Sequence, residues 1–412
     1  MRASFGSCPG GSLALIVALC AAAGGPAQTP THSSPLRPEP TAIDRALPEF
    51  LERLRVDEYA YFRIVNRSWT ARVCDVFASV LPDVPVVLLH GDAHVEQYAV
   101  TSQAWGLDDF DDSARGPSLV DIVRFLGSID LVARRRGWSS DLNDLFDRFF
   151  EGYRRGLEEP GTLPPEPGFV RRFRAEPTRD RAAHLAWGEQ RMEPLPDEVK
   201  ANALSGLALF ARRAHRARPD LARGYFTIRR IGWLRMGVGS AANNKMLFRV
   251  EGPTSDPDDD VLLEAKEPSR LDGLGCLQLP SSTEAVRVIA GSQQLGRIHH
   301  DILGVVPEQE PKWGVRKWWI RSWEPSYREV RADDLDSVKD LSALVYDSAF
   351  QLGAGRLHGT SPEKASSLRQ AELAAVGRLE GRLRQSVKEL LGDMVAGWQE
   401  FRDSIRVQRR HL

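Results

Sequence analysis

The segment HGDAHVEQY (residues 90–98), followed by GLDDFDDSARGPSLVD (106–121), decides the fold of this 412-residue chain. Asp92 follows the apolar run PVVLLH, and Asp109 follows AWGL. Each pattern predicts a carboxylate held where a buried strand ends, at the edge of a cleft. Asp109 lies 17 residues after Asp92 (109 − 92) and begins the pattern D-F-x-x-x-x-x-G-x-x-x-x-D, which ends at Asp121.

This spacing resembles the catalytic and metal-binding segments of the aminoglycoside and choline phosphotransferases, which share the protein-kinase fold. The resemblance implies that Asp92 is the catalytic base and that Asp109 and Gln97 bind Mg²⁺ over the phosphates of ATP. It departs at Gln97, where these families have Asn. Gln offers the same carbonyl oxygen on a longer side chain, so the loop must relax for it to bind the metal. We expect Asp121 to bond the backbone of the catalytic loop and hold Asp92 in place.

A second pattern, GVGS (237–240), forms the first turn of a predicted three-stranded antiparallel sheet. Its strands are YFTIRRIGWLRM, KMLFRVEG and VLLEAKEP. The backbone N–H groups of Gly237, Gly239 and Ser240 suit a phosphate group. Kinase-like folds pair such a turn with a strand lysine that contacts the nucleotide phosphates, here Lys266. A carboxylate on the following helix should hold that lysine, and the candidate is Glu284, with Glu264 and Glu267 as alternatives.

The order of these patterns is reversed relative to the kinases, because Asp92 precedes Lys266 by 174 residues (266 − 92). We therefore predict an α+β, protein-kinase-like two-lobe fold that is circularly permuted, which close termini tolerate. A helical lobe with the catalytic and metal-binding loops spans 43–222, and a small antiparallel sheet lobe spans 223–330. The larger helical lobe resumes over 331–412, where the helix 341–359 leads into the catalytic loop.

The chain also resembles the bacterial domain-of-unknown-function family 2252 over about residues 45–360. The matching segments are GDAHVEQYA (91–99), DDFDD (108–112), GVGS, AKEP (265–268) and GAGRLH (353–358). That family brings no activity with it, so the resemblance supports the fold more than the function.

The N-terminus predicts export. Arg2, the apolar run 12–23 and the small residues after it are typical of a signal peptide over 1–27, followed by a Pro-rich disordered linker over 28–42. The mature chain is expected in the periplasm or outside the cell, without a membrane span; a misassigned start codon would make it cytoplasmic. We interpret Cys74 and Cys276, which lie outside this leader, as two unpaired small apolar residues. A net charge of −1 gives no reason to expect nucleic acid as a partner.

Three functions follow from these patterns. The first is an ATP- and Mg²⁺-dependent phosphotransferase that acts on a small-molecule nucleotide and an unknown acceptor. The second is a degenerate kinase-fold protein that binds a ligand or partner without catalysis, which Gln97 and export favour. The third is a metal-dependent hydrolase, whose ligands would be His90, Asp92, His94, Asp109 and Asp111.

Overall fold

The chain is a mixed α+β protein with small antiparallel sheets, as the sequence predicts. The computed structural model describes residues 34–44, 46–234, 244–279, 284–306 and 318–410, without the side chains of 406–410. From Pro35 onward the chain forms one compact unit. The predicted signal peptide and the Gly-rich turn with Gly237, Gly239 and Ser240 lie outside the described residues.

Helices account for most of the ordered backbone. They are α1 (Pro40–Asp44), α2 (Pro48–Val56), α3 (Glu58–Ile64), α4 (Asn66–Phe77), α5 (Leu119–Arg136), α6 (Leu142–Glu158), α7 (Gly168–Ala175), α8 (Arg181–Glu189), α9 (Asp197–Ala217), α10 (Glu284–Gln294), α11 (Val338–Gly355) and α12 (Pro362–Arg410). Within the described part of the chain, none of these helices is both long and apolar enough to cross a membrane.

Within the described residues, the strands form three antiparallel sheets. They are β1 (Val86–Leu89), β2 (Tyr98–Val100), β3 (Trp105–Leu107), β4 (Ala114–Pro117), β5 (Met192–Glu193), β6 (Ile228–Leu234), β7 (Lys245–Val250), β8 (Val261–Lys266), β9 (Leu303–Val306), β10 (Trp318–Trp323) and β11 (Arg328–Glu329). The largest sheet has the order β5-β6-β7-β8-β10-β9, and the two smaller ones are β1-β4 and β11-β2-β3.

Two helices cover the opposite faces of the six-stranded sheet. Side chains alternate between faces along a strand, so Phe248 packs with Phe210 of α9, whereas Leu247 packs with Leu185 of α8. The predicted boundary at residue 222 assigned both helices to the helical lobe. Their apolar faces pack instead on the sheet, which leaves a long α5, α6, α11 and α12 assembly as the other core.

Helices α6 and α11 pack closely enough that no side chain fits where their backbones approach each other. A Cβ at Gly353 of α11 would lie 2.3 Å from the carbonyl oxygen of Tyr153 in α6. Glycine is therefore the residue that permits this approach. The predicted helix over 341–359 is present as α11, although it begins and ends a few residues earlier.

Part of the predicted linker is ordered. Leu36 is only 3% exposed, and its N–H donates to the carbonyl of Asp393 in α12. The guanidinium of Arg37 pairs with Glu400 at 2.7 Å. The prediction of disorder was wrong for this part of the segment, because one apolar anchor among the prolines is enough to dock it on α12.

Cys74 and Cys276 form a disulfide, with their Cα atoms 5.4 Å apart across 202 residues of sequence. The interpretation of two unpaired cysteines was wrong. Pairing depends on whether α4 and the segment after β8 come together in the fold, and sequence spacing does not carry that information.

Candidate functional site

The loop after β1 is held by Asp121, in the first turn of α5. The Asp121 carboxylate accepts hydrogen bonds from the N–H groups of His90 and Gly91, both at 2.8 Å. This confirms the predicted contact of Asp121 with the backbone of the loop. Arg356, just after α11, donates to Asp121 at 2.6 Å and also bonds the carbonyl of Leu88. Neither side chain of the Asp121–Arg356 pair has exposed surface.

Gly91 brings the loop after β1 (the H-G-D loop, residues 90–92) against the second acidic segment (residues 108–112). Its φ is +86°, and a Cβ there would lie 1.8 Å from the carbonyl oxygen of Asp112. A residue with a side chain is excluded on both counts. The two sequence patterns therefore meet through backbone contact.

Asp92 is fixed by a buried arginine on α5. Arg124 donates from Nε to the Asp92 carboxylate at 2.9 Å, and its guanidinium stacks 3.6 Å from the centre of the Phe62 ring. Burial raises the pKa of Asp92 to about 6, although Arg124 opposes the shift. Arg124 was not among the site residues predicted from the sequence. Its position inside the apolar run IVRFLGSI was the available signal, because a charge on a buried helix face requires a partner.

The second acidic segment meets the strand lysine. The Lys266 ammonium lies 2.7 Å from the Asp109 carboxylate and 2.6 Å from that of Asp111. Asp109 is one of two described non-glycine residues with positive φ, at 60°. The structure thus brings Asp109 and Lys266 into direct contact and adds Asp111, which the sequence analysis considered only for a hydrolase.

The charges of this cluster are interdependent. Burial acts to raise the pKa of Asp109, but the Lys266 ammonium outweighs it and holds this pKa well below its usual range. Burial raises the pKa of Asp111 to about 7, with Lys266 opposing the shift and Asp109 adding to it. Burial alone would lower the pKa of Lys266, and the two carboxylates raise it instead. One ammonium is therefore shared by two carboxylates.

The other predicted cofactor and metal residues differ in their surroundings. The backbone carbonyl of Gln97 accepts from the N–H of Asp108 at 3.1 Å, so Gln97 lies beside the segment that carries Asp109. Glu284 is the first residue of α10. The roles of Gln97 as a metal ligand and of Glu284 as the partner of Lys266 stay predictions.

Both alternative partners of Lys266 are engaged elsewhere. Glu264 accepts from Arg321 at 3.0 Å, and Glu267 accepts from the N–H of Asn244 at 3.0 Å.

A second buried arginine, Arg321 of β10, joins the sheet to the acidic segment. It bonds both carboxylate oxygens of Asp108, at 3.0 and 2.9 Å, while Tyr327 donates its hydroxyl to the same carboxylate at 2.6 Å. Burial acts to raise the pKa of Asp108, but Arg321 outweighs it and lowers this pKa to about 2. This pair was not predicted from the sequence, although an arginine within the strand WWIRSW was again a visible signal.

The histidines of the loop make structural bonds. The Nε2 atom of His90 lies 3.0 Å from the Asp108 carbonyl oxygen, and the Nδ1 atom of His94 lies 3.3 Å from the hydroxyl of Tyr59. Burial lowers the pKa of both imidazoles, so both are neutral. Among the residues that the structure describes, no three or more His, Cys, Asp or Glu side chains form a metal-binding group.

The cluster suits a phosphate ligand accompanied by a hard cation. Asp109 and Asp111 supply carboxylate oxygens, which Mg²⁺ prefers, and Mg²⁺ commonly takes its other ligands from water and substrate phosphates. Lys266 supplies the adjacent positive charge. Asp109, Asp111 and Lys266 therefore have the donor types that a phosphate ligand with Mg²⁺ would need.

These features define a mixed α+β protein with a buried acidic loop that faces a strand lysine. The chain belongs to a family described as uncharacterized proteins conserved in bacteria (DUF2252), whose model matches residues 43–208 and 170–404. No curated protein and no solved structure matches the chain.

Proposed function

We propose that this protein is a circularly permuted, kinase-like phosphotransferase that binds ATP and Mg²⁺ and acts on an acceptor still to be identified. The observation that carries the proposal is the direct contact of the Lys266 ammonium with the Asp109 and Asp111 carboxylates. A lysine and a metal-binding carboxylate on either side of the nucleotide phosphates are the parts that phosphoryl transfer needs.

Two further observations support the permuted fold. Lys266 ends β8, the third strand of the β6-β7-β8 series, which is where kinases carry the phosphate-binding lysine. Arg356, just after α11, bonds the carbonyl of Leu88, which lies 268 residues away in the sequence and two residues before His90 of the H-G-D loop. A permuted kinase requires this proximity between a long helix and the loop that it normally leads into.

Each residue then has a defined task. Asp92, with its pKa of about 6, is ionised at neutral pH and accepts the proton of the acceptor group, while Arg124 fixes its orientation. Lys266 holds the phosphates, and Asp109 with Asp111 provides the oxygen ligands beside them. Bound Mg²⁺ would neutralise the charge that develops on the transferred phosphoryl group.

A second candidate is an exported kinase-fold protein that binds a ligand without catalysis. The Cys74–Cys276 disulfide favours it, because disulfides persist mainly in oxidising compartments, where ATP is absent. The predicted signal peptide and Gln97 agree with it. On this proposal the mature protein is periplasmic or secreted.

Titration calorimetry with Mg²⁺ and ATP, followed by a turnover assay, tests both candidates. Lys266→Met should weaken ATP binding about tenfold or more, and the exposed-lysine control Lys200→Met should leave it unchanged. Asp92→Asn should retain binding and lose turnover if the protein is a phosphotransferase. If wild type does not bind ATP, the phosphotransferase proposal fails.

Position 97 separates the two candidates further. Gln97→Asn should change the rate of an active enzyme little, whereas in a non-catalytic binder it should strengthen Mg²⁺–nucleotide binding. Binding without turnover, with identical affinities for wild type and Asp92→Asn, would favour the binder.

A further inference from the structure

Lys245, the first residue of β7, lies directly opposite Lys266 in the antiparallel pairing of β7 with β8. Directly opposed residues project from the same face of a sheet, with Cβ atoms about 4.5–5.5 Å apart. Both ammonium groups therefore lie on the face that Asp109 and Asp111 approach. Nothing in the sequence motifs pointed to this second lysine.

The two lysines differ in how their charges are compensated. The Lys266 ammonium is paired with Asp109 and Asp111, whereas the Lys245 ammonium makes no hydrogen bond or ion pair with any residue that the structure describes. Lys245 is nevertheless partly buried. Two like charges directly opposite each other destabilise a sheet, and a partly buried ammonium without a partner adds to that cost.

Burial, followed by the charge of Lys266, lowers the pKa of Lys245. This lowered pKa agrees with the geometry, since an anion beside Lys245 would offset both its burial and the charge of Lys266.

We propose that Lys245 is a second phosphate-binding lysine and that the site takes a ligand with two or more linked phosphoryl groups. The inference rests on the proposed function and adds Lys245 to the residues that hold the phosphates. Two neighbouring ammonium groups on one face of the sheet match the adjacent charges of a diphosphate or triphosphate.

Inorganic triphosphate and inorganic phosphate are the probes, because both test the lysines without requiring nucleotide recognition or turnover. Calorimetry is carried out on the full chain with Mg²⁺. Lys245→Gln should weaken triphosphate binding about tenfold and change phosphate binding much less, while Lys245→Arg should retain most of the affinity. The exposed-lysine control Lys200→Gln should bind as wild type does. Wild-type affinity for triphosphate in a folded Lys245→Gln protein would overturn the proposal.

A second measurement does not depend on the folding of any variant. Wild-type protein is labelled with an amine-reactive reagent, with and without saturating triphosphate, and the modification at each lysine is quantified by mass spectrometry. Triphosphate should protect Lys245 and Lys266 and leave Lys200 unprotected. If the protein binds triphosphate but the labelling of Lys245 is the same with and without it, the proposal is overturned.

The outcome is separable from that of the proposed function. Absence of ATP binding or turnover, with triphosphate still protecting Lys245, would remove the phosphotransferase and keep the ligand class. ATP binding that does not depend on Lys245 would keep the phosphotransferase and reject the proposed role of Lys245.

Discussion

The two sides of the candidate site are built differently. On one side, Arg124 holds Asp92, and the fully buried Asp121–Arg356 pair holds the loop that carries it. Each carboxylate on this side therefore has an arginine of its own. On the other side, a single ammonium, that of Lys266, is shared by Asp109 and Asp111.

The difference shows which charges a ligand can replace. Removing either partner from the Asp121–Arg356 pair leaves an uncompensated buried charge, so the pair serves as scaffold. On the proposed function, a cation takes over the carboxylates of the Lys266 cluster and an anion takes over its ammonium. The first side would then fix position and the second side would bind the ligand.

The largest effect should come from breaking the scaffold side. Arg356→Met should lower the free energy of unfolding by about 3–5 kcal/mol, because Asp121 is left buried without its cation. Urea denaturation measures the loss. The matched control, Arg328→Met, removes the cation of the exposed Arg328–Glu176 pair and should cost less than about 1 kcal/mol. Similar losses in the two variants would contradict the assignment of Asp121 as scaffold.

The disulfide should have the next largest effect. It ties the segment after the Lys266 strand to α4, across 202 residues. Cys276→Ser should therefore lower the free energy of unfolding by about 2–4 kcal/mol, mainly by releasing the unfolded chain. The double variant Cys74→Ser/Cys276→Ser and reduced wild type should show the same loss. If reduction leaves wild-type stability unchanged, the bond is not part of the folded protein in solution.

The smallest effect concerns the pH dependence of Asp92. Its pKa is raised from 3.8 to about 6 on folding, so the folded protein binds this proton more tightly than the unfolded chain. The contribution of Asp92 to stability is present below pH 4 and is lost as the pH rises to about 6. Between pH 4 and 7, the free energy of unfolding of Asp92→Asn should therefore rise by about 2 kcal/mol relative to that of wild type.

Denaturation at a series of pH values gives this comparison directly. Asp75→Asn, at an exposed position, is the control and should follow wild type throughout. If the free energies of unfolding of Asp92→Asn and wild type change in parallel with pH, folding does not shift the pKa of Asp92.

Sequence reasoning found the acidic residues of the site but not the arginines that hold them. Asp92, Asp109 and Asp121 stand at fixed spacing within one short segment, so local pattern was sufficient. Arg124, the partner of Asp92, and Arg321, the partner of Asp108, lie in runs that are typical of an apolar helix and an apolar strand. Which carboxylate each one meets depends on how α5 and β10 pack, and only the folded chain determines that.

The disulfide and the docked segment at Leu36 escaped prediction for the same reason. Each is a contact between residues more than 200 positions apart, and neither leaves a trace in spacing or periodicity. The α+β class and the strand ending at Lys266 were predictable because alternation and turn residues report local structure.

The Asp121–Arg356 pair has a consequence for how the protein is made. The two residues are 235 positions apart, so the ribosome completes the H-G-D loop and α5 long before it reaches α11. Chains commonly begin to fold from the N-terminal side during synthesis. Until α11 is synthesised, Asp121 lacks its cation Arg356, and the apolar surface of α6 is not covered by α11. A nascent chain stalled before residue 338 should consequently be a strong substrate for chaperones, whereas a chain that extends through α12 can close its core.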